Sequence, residues 1–378
     1  MSGVPGERPA GGDAAGERVV SGERTAAGGR TAAGERSAYR ATLYQWAQVP
    51  GPVGGVTTSV EALTAAVSAL GAEVVRVNTA APPQMAASLP RLWRRRALHL
   101  LHITNLYRAI LVAPVMGAVP GRTAVVLHSG STRGQLERMS PWLRRAVTVA
   151  LHAYDEIWAV NGEIREVLPG VLRGRVRVVS PYVPPASVVS AAGSPSASEA
   201  AAAGPPRDLH LVTVATNSGQ HYYGADVAID AVARVRRSWP EARLWVLGYD
   251  RDGAEMAALR RRAAELDWVD ISFNLGPSEV TDALRRSGVF LRPTSWDGDS
   301  VIVREALACG ARVVASDVAP RPAGVEVAPL DAEALAAAVL DGGRASDGAG
   351  LASETILDAA RDALGLAAPP GLVAEDSR

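Results

Sequence analysis

The sequence predicts an α/β protein made of two parallel-sheet domains in tandem. Three observations carry that expectation. Short apolar, β-branched runs alternate with helical stretches along most of the chain, as strands joined by helical crossovers do. The length, 378 residues, favours two domains over one. A stretch of Ala, Ser, Pro and Gly at 184–208 has no large apolar residue beyond Val188 and Val189, and it divides the alternation into two series.

Residues 1–38 are mostly Gly, Ala, Arg and Glu, with a loose Gly-Glu-Arg recurrence. They predict a disordered tail, either dispensable or a contact for a partner. The first domain is expected over 39–183. Ala41–Tyr44 reads as its first strand. The turn Pro50-Gly51-Pro52-Val53-Gly54-Gly55 leads into a helix from Val56 to Leu70. Glycines there either let a ligand approach the backbone and the helix N-terminus or simply close a tight turn. Glu73–Val77 is the second strand. Pro82–Arg96 holds a broken helical piece with Arg91, Arg94, Arg95 and Arg96. That patch is a solvated face, or a contact for an anionic acceptor or a membrane surface. Leu98–Ile103 is a strand running into His102 and Asn105, and Leu106–Val119 is an apolar helix. Thr123–Leu127 is a strand closing in His128-Ser129-Gly130-Ser131, and a helical stretch runs to Tyr154. Ile157–Val160 is a strand, Asn161 opens a helix, and Val176–Val179 ends the series.

The second domain is expected over 209–345, with a C-terminal helix and tail over 346–378. Leu209–Ala215 is a strand, followed by the turn Asn217–Gly224 and a helix from Asp226 to Trp239. Strands Leu244–Leu247 and Val269–Phe273 bracket a helix at Glu255–Leu266. Gly276 precedes a helix at Glu279–Arg286. Val289–Leu291, a helix from Asp299 to Cys309, Gly310 and Arg312–Ala315 form a βαβ unit. Arg321–Gly324 is a loop, and Ala332–Leu340 and Glu354–Leu364 are helices.

Composition excludes several classes. Lys plus Arg and Asp plus Glu both number 39, so no global charge draws the chain to nucleic acid. The single cysteine, Cys309, permits no internal disulfide, and no Cys/His spacing suits zinc. No apolar run is long enough for a bilayer span, and no hydrophobic leader core opens the chain. A cytoplasmic protein without a metal cofactor is expected.

Open α/β sheets hold ligands at the carboxyl ends of their strands. In the first domain that edge carries His102, Asn105, His128, Ser129 and Asn161. His128 suits a sugar oxygen or acceptor hydroxyl; a packed histidine is the alternative, and the stronger one for His102. In the second domain, His221 and Tyr223 occupy the first strand-to-helix turn. The βαβ unit places Asp297 in its loop and Glu305 within its helix, where two carboxylates accept hydrogen bonds from several hydroxyls. Asp299 and Ser300 offer backbone N–H groups for phosphate oxygens, and Arg292 and Arg304 could add charge. The plainer alternative is that Asp297 and Asp299 cap the helix and Glu305 is solvated.

From Tyr39 to Leu340 the chain resembles the large retaining group of GT-B-fold glycosyltransferases, which includes bacterial polysaccharide mannosyl- and glucosyltransferases. The resemblance rests on Asp297 and Glu305 with seven residues between them, followed by Ala306-Leu307-Ala308-Cys309-Gly310 and Val313-Val314-Ala315-Ser316-Asp317. It implies two Rossmann-like domains facing across a cleft. The implied reaction moves a hexosyl group from a nucleoside diphosphate sugar to an acceptor hydroxyl, with retention and without a bound metal. The acceptor would be a glycan, a glycolipid or a small natural product. Asp297 would contact the donor sugar, Glu305 the ribose, and the backbone at Asp299 and Ser300 the diphosphate. Gly54 and Gly55 match the family's glycine loop near donor phosphate and acceptor. His128 matches a histidine near the sugar, Gly248 the glycine after the second donor-domain strand, and Gly276 one bordering the nucleobase pocket.

Three departures accompany the match. Asp297 stands where the family usually has Glu. Tyr223 occupies the position of an expected Lys, and no Arg or Lys occurs between Asp208 and Arg234. Arg321-Pro322-Ala323-Gly324 stands where a Pro-Glu pair is common. Loss of fixed cations weakens stabilisation of a leaving diphosphate. Arg292, Arg304, Arg321, Arg133 or His221 are the candidates to replace them. A weakly catalytic sugar-nucleotide-binding protein is the alternative function.

Overall fold

A computed structural model describes residues 41–48, 54–81, 83, 85, 92, 97–184, 206–217, 221–249, 254–349 and 351–367. The N-terminal tail, Pro50–Val53, the Arg91–Arg96 arginines and nearly all of the 184–208 linker lie outside the described residues.

The first sheet is wholly parallel. Its strands are β1 (Thr42–Ala47), β2 (Glu73–Asn78), β3 (Ala97–Ile103), β4 (Arg122–Leu127), β5 (Glu156–Ala159) and β6 (Val176–Val178), in spatial order β2-β1-β3-β4-β5-β6. Every residue of β1 and β3 is buried, which is why their sequences read as apolar runs rather than alternations. The crossovers from β3 onward all step the same way across the sheet. With right-handed connections, they put their helices on one face. These are α2 (Tyr107–Met116), α3 (Thr132–Arg138), α4 (Pro141–His152), α5 (Gly162–Val167) and α6 (Gly170–Arg173). The β1-to-β2 crossover steps the other way, so α1 (Gly55–Ala69) covers the opposite face.

The second sheet has strands β7 (Asp208–Asn217), β8 (Arg243–Tyr249), β9 (Val269–Phe273), β10 (Ser287–Arg292), β11 (Arg312–Ser316), β12 (Val325–Ala328) and β13 (Arg344–Ala345). Their order is β13-β12-β11-β10-β7-β8-β9, parallel except for β13. Helices α7 (Ala225–Val235) and α11 (Ala332–Asp341) build one apolar layer on this sheet. Helices α9 (Pro277–Arg286) and α10 (Val301–Ala308) build the other, and α8 (Ala254–Ala263) lies between β8 and β9. The sequence does not reveal β12 and β13. Each is short, and Glu326 interrupts the apolar run of β12. That glutamate is held by Arg312 of the neighbouring β11, whose Nε donates to its Oε1 at 2.7 Å.

The last helix, α12 (Ile356–Leu364), returns to the first sheet. Ile356, Ala359 and Ala360 join the core of the first half, beside α1. Backbone bonds fix its entry: Ser180 N–H donates to Glu354 O at 2.8 Å and Ile356 N–H to Ser180 O at 2.7 Å. Arg177 ties β6 to Glu354 and Asp362 by ion pairs. The amphipathic pattern alone shows that α12 needs an apolar partner, not which sheet supplies it.

Candidate functional site

The site forms where the carboxyl ends of the two sheets meet. β10 ends at Arg292, and the loop to α10 carries Thr294, Trp296 and Asp297. The Asp297 side chain is only 11% exposed. Arg292 Nε donates to its Oδ2 at 3.0 Å and Arg292 Nη2 to its Oδ1 at 3.3 Å. Arg321 Nη1 donates to Oδ2 at 2.8 Å, and the Gly298 N–H to Oδ1 at 3.1 Å. Both arginines are buried, and Arg321 is fixed further by Ser316 O and Thr294 Oγ1. Burial pushes the Asp297 carboxyl up, but Arg292 and Arg321 together outweigh it and hold the group below the ordinary carboxylate range. Two of the arginines that the sequence offers as replacement cations, Arg292 and Arg321, are thus partly neutralised by Asp297.

The helix begins at Val301, and neither Asp297 nor Asp299 caps it. Ser300 is the N-cap residue and makes no side-chain capping bond. The Asp299 side chain is fully buried and accepts from Arg304 Nε at 2.7 Å. Its carboxyl is pushed up, chiefly by burial.

Glu305 is the counterpart of Asp297. It sits a turn into α10, half-buried rather than fully solvated, and among the described residues no hydrogen bond or ion pair engages its carboxylate. Burial alone pushes it up to about 7. Two tyrosines lie within its electrostatic reach. Tyr182, from the end of the first half, has a buried hydroxyl without a hydrogen-bond partner. Burial, then the Glu305 carboxylate, push that hydroxyl up to about 12. Tyr249, at the end of β8, is raised to about 12 by the same two causes in the same order. A half-buried carboxylate and, within its electrostatic reach, a buried hydroxyl without a hydrogen-bond partner can together serve a ligand with several hydroxyls. The sequence gives no sign of Tyr182, which lies beyond the last strand of the other half.

The first half meets this loop closely. An added Cβ on Gly130 would fall 2.3 Å from Asp297 O, and one on Gly298 would fall 3.2 Å from His128 O. The backbone of the His128–Gly130 loop therefore lies against the Asp297–Gly298 backbone. The His128 ring is paired: His102 Nδ1 and His128 Nε2 are 3.0 Å apart, with the rings stacked 5.3 Å between centroids. Burial pushes His128 down to about 4, and His102 is held well below its ordinary value by burial and by His128. Both imidazoles are neutral at pH 7, so His128 can orient a hydroxyl but carries no charge. Gly54 and Gly55 open α1, and the Cβ position of Gly55 lies 3.7 Å from Val301 at the start of α10. The N-terminus of α1 thus approaches that of α10.

Gly248 lies inside β8, packed 3.1 Å from the Phe273 ring at its Cβ position, and not in the following loop. Gly276 is the N-cap of α9, its N–H donating to Glu279 Oε2 at 2.7 Å. Tyr223 lies under the Arg292 guanidinium, 4.8 Å from the ring centroid, and Tyr222 bridges Tyr223 and Trp296 at 4.6 and 4.0 Å. The His221 side chain and 218–220 lie outside the described residues. Arg133 pairs with Glu163 at 3.1 Å and is taken up there. Among the described residues, no group of three or more His, Cys, Asp or Glu is placed to hold a metal, and no helix is long and apolar enough to cross a membrane.

Residues 209–341 match the family described as glycosyl transferases group 1. Solved structures share the two-sheet architecture. The UDP-forming alpha,alpha-trehalose-phosphate synthase of Burkholderia xenovorans superposes with a TM-score of 0.55 at 15% identity, covering 80% of this chain and 90% of that one. Sucrose-phosphate synthase from Thermosynechococcus elongatus gives 0.55 at 16%, covering 86% and 94%. Anabaena Alr3699/HepE in complex with UDP-glucose gives 0.54 at 12%, covering 79% and 88%. The fold is GT-B. No curated protein matches the chain. In the GT-B arrangement, two Rossmann-like sheets face across a cleft, which here brings His128 and Gly130 against Asp297 and Tyr182 towards Glu305.

Proposed function

We propose that the protein is a glycosyltransferase that moves a hexosyl group from a nucleoside diphosphate sugar to an acceptor hydroxyl with retention at the anomeric carbon. The observation that carries this reading is the half-buried carboxylate of Glu305, without a partner among the described residues, in the segment that matches group 1 glycosyl transferases. Glu305 would take the two ribose hydroxyls, with Tyr182 donating or accepting beside it. The backbone at Asp299 and Ser300 and the nearby N-terminus of α1, at Gly54 and Gly55, would face the diphosphate. Gly248 and Gly276 would support the nucleobase side through packing and through the entry to α9. Arg292 and Arg321 stand in for the cations missing from the Asn217–Gly224 turn. Asp297 would reach the sugar only while sharing its charge with them. In the transfer, the anomeric carbon–oxygen bond to the diphosphate breaks and a bond to the acceptor oxygen forms on the same face. The acceptor proton passes to the departing phosphate oxygen. Neutral His128 would hold a sugar or acceptor hydroxyl.

A second reading, a weakly catalytic sugar-nucleotide-binding protein, is favoured by the saturation of Asp297 and by Tyr223 at the expected lysine position. A panel of nucleotide sugars, with and without acceptors, separates the two. Release of nucleoside diphosphate only with an acceptor supports transfer. Tight binding without release across the panel supports the second reading. Unchanged nucleotide affinity in Glu305→Ala would remove the basis of both.

A further inference from the structure

The helical layer formed by α2, α4 and α6 carries an apolar surface that nothing in the fold covers. On α2, Tyr107, Leu111 and Pro114 recur at helical spacing on the exposed side, and Leu111 is 78% exposed. On α4, Trp142, Arg145 and Val149 stand at i, i+3 and i+7, with Trp142 71% and Val149 65% exposed. Val171 of α6 is 69% exposed. Helix α4 packs against both α2 and α6, so these side chains belong to one face of the molecule. That face is the outer side of the first sheet's helical layer, away from α1 and α12. Large exposed apolar groups gathered on neighbouring helices mark an interaction site rather than ordinary surface.

Charge selects the partner. None of the three helices contains an Asp or Glu, and no acid occurs anywhere between Glu73 and Glu137. Arg108 on α2 and Arg144 and Arg145 on α4 accompany the apolar residues, and both α4 arginines are exposed. The nearest helical acids, Glu137, Glu163 and Glu166, belong to α3 and α5. A second copy of the chain is disfavoured, because an isologous contact would set these arginines against one another without a counter-charge. We infer that the α2–α4–α6 face rests on an anionic lipid bilayer, with Leu111, Trp142 and Val149 at the acyl boundary and Arg144 and Arg145 among the headgroup phosphates. An indole suits that boundary through its apolar ring and polar N–H. The inference is independent of the residues around Glu305.

The test is flotation of the full chain with phosphatidylcholine vesicles containing phosphatidylglycerol, and with phosphatidylcholine vesicles alone. The expected result is binding to the anionic vesicles, lowered at least about tenfold by Leu111→Asp/Trp142→Asp and by Arg144→Glu/Arg145→Glu. Unchanged melting temperatures and unchanged nucleotide affinity would show that the variants stay folded. Brominated lipid should quench tryptophan fluorescence in the native chain and less in Trp142→Phe. No binding to anionic vesicles overturns the inference. So does binding that the four charge-inserting substitutions leave intact. A dimer in light scattering that the same substitutions dissociate overturns it in favour of the second copy.

Discussion

Arg321 Nη1 lies 2.8 Å from Asp297 Oδ2, and the two are joined by Arg292 in one buried ion cluster. Asp297 and Glu305 belong to the same sequence motif, yet the protein treats them in opposite ways. One carboxylate is saturated by two cations, and the other has no partner among the described residues. That contrast gives the two acids opposite effects on stability.

Asp297→Asn leaves two buried guanidiniums short of their counter-charge, a loss of about 3–5 kcal/mol by analogy with other broken buried pairs. The melting temperature should fall clearly. Because the folded-state carboxyl is held low, its contribution is complete above the ordinary Asp range and is lost on acidification through the depressed value. The variant and the native chain should therefore converge in strong acid. A variant as stable as the native chain at neutral pH would show that the cluster does not support the fold.

Glu305→Gln should stabilise the free protein in mild alkali. The folded carboxyl ionises at about 7 against an ordinary value of 4.5, so ionisation opposes folding progressively across that interval. Above about pH 8 the substitution should gain on the order of 3 kcal/mol, and below the ordinary Glu range nothing. The same change should weaken nucleotide binding. Native affinity should rise about tenfold from near pH 6 to near pH 8 as the acceptor ionises, and the glutamine variant should lack that component. Calorimetry at both pH values checks each sign.

The His102–His128 pair should make the first half acid-sensitive. Both rings are held below the ordinary value of 6.5, His128 at about 4, so the unfolded chain binds more protons between those values. Stability is present above the ordinary value and is lost as pH falls towards the folded one. Urea midpoints should decline over that interval, and His102→Gln/His128→Gln should flatten the decline. An equally steep slope in the double variant would assign the sensitivity elsewhere.

Gly130→Ala places a Cβ against Asp297 O, with 2.3 Å available. Overpacking of this kind costs roughly 1–3 kcal/mol and should part the two halves at the His128 loop. The radius of gyration in solution should increase, and turnover should fall at least about tenfold while nucleotide still binds the second half. A variant with unchanged scattering and turnover would show that the contact is dispensable. Gly224→Ala should be worse still, because Gly224 combines φ +68 with 2.0 Å of space below Pro293 O.

The sequence alone determined the repeated strand–helix alternation, the site edge of each sheet and the motif from Asp297 to Glu305. Those features are local, because an apolar run, a loop and a helix start are written in consecutive residues. Tertiary structure decided the rest. Spatial neighbours, not consecutive ones, set whether an acid is paired, so only the fold distinguishes Asp297 beside Arg292 and Arg321 from Glu305 beside Tyr182 and Tyr249. It likewise joined His102 to His128, drew β12 onto Arg312 through Glu326, and returned α12 to the first sheet. Each of these depends on the field or the apolar surface presented by residues distant in the chain, and periodicity carries no record of those distances.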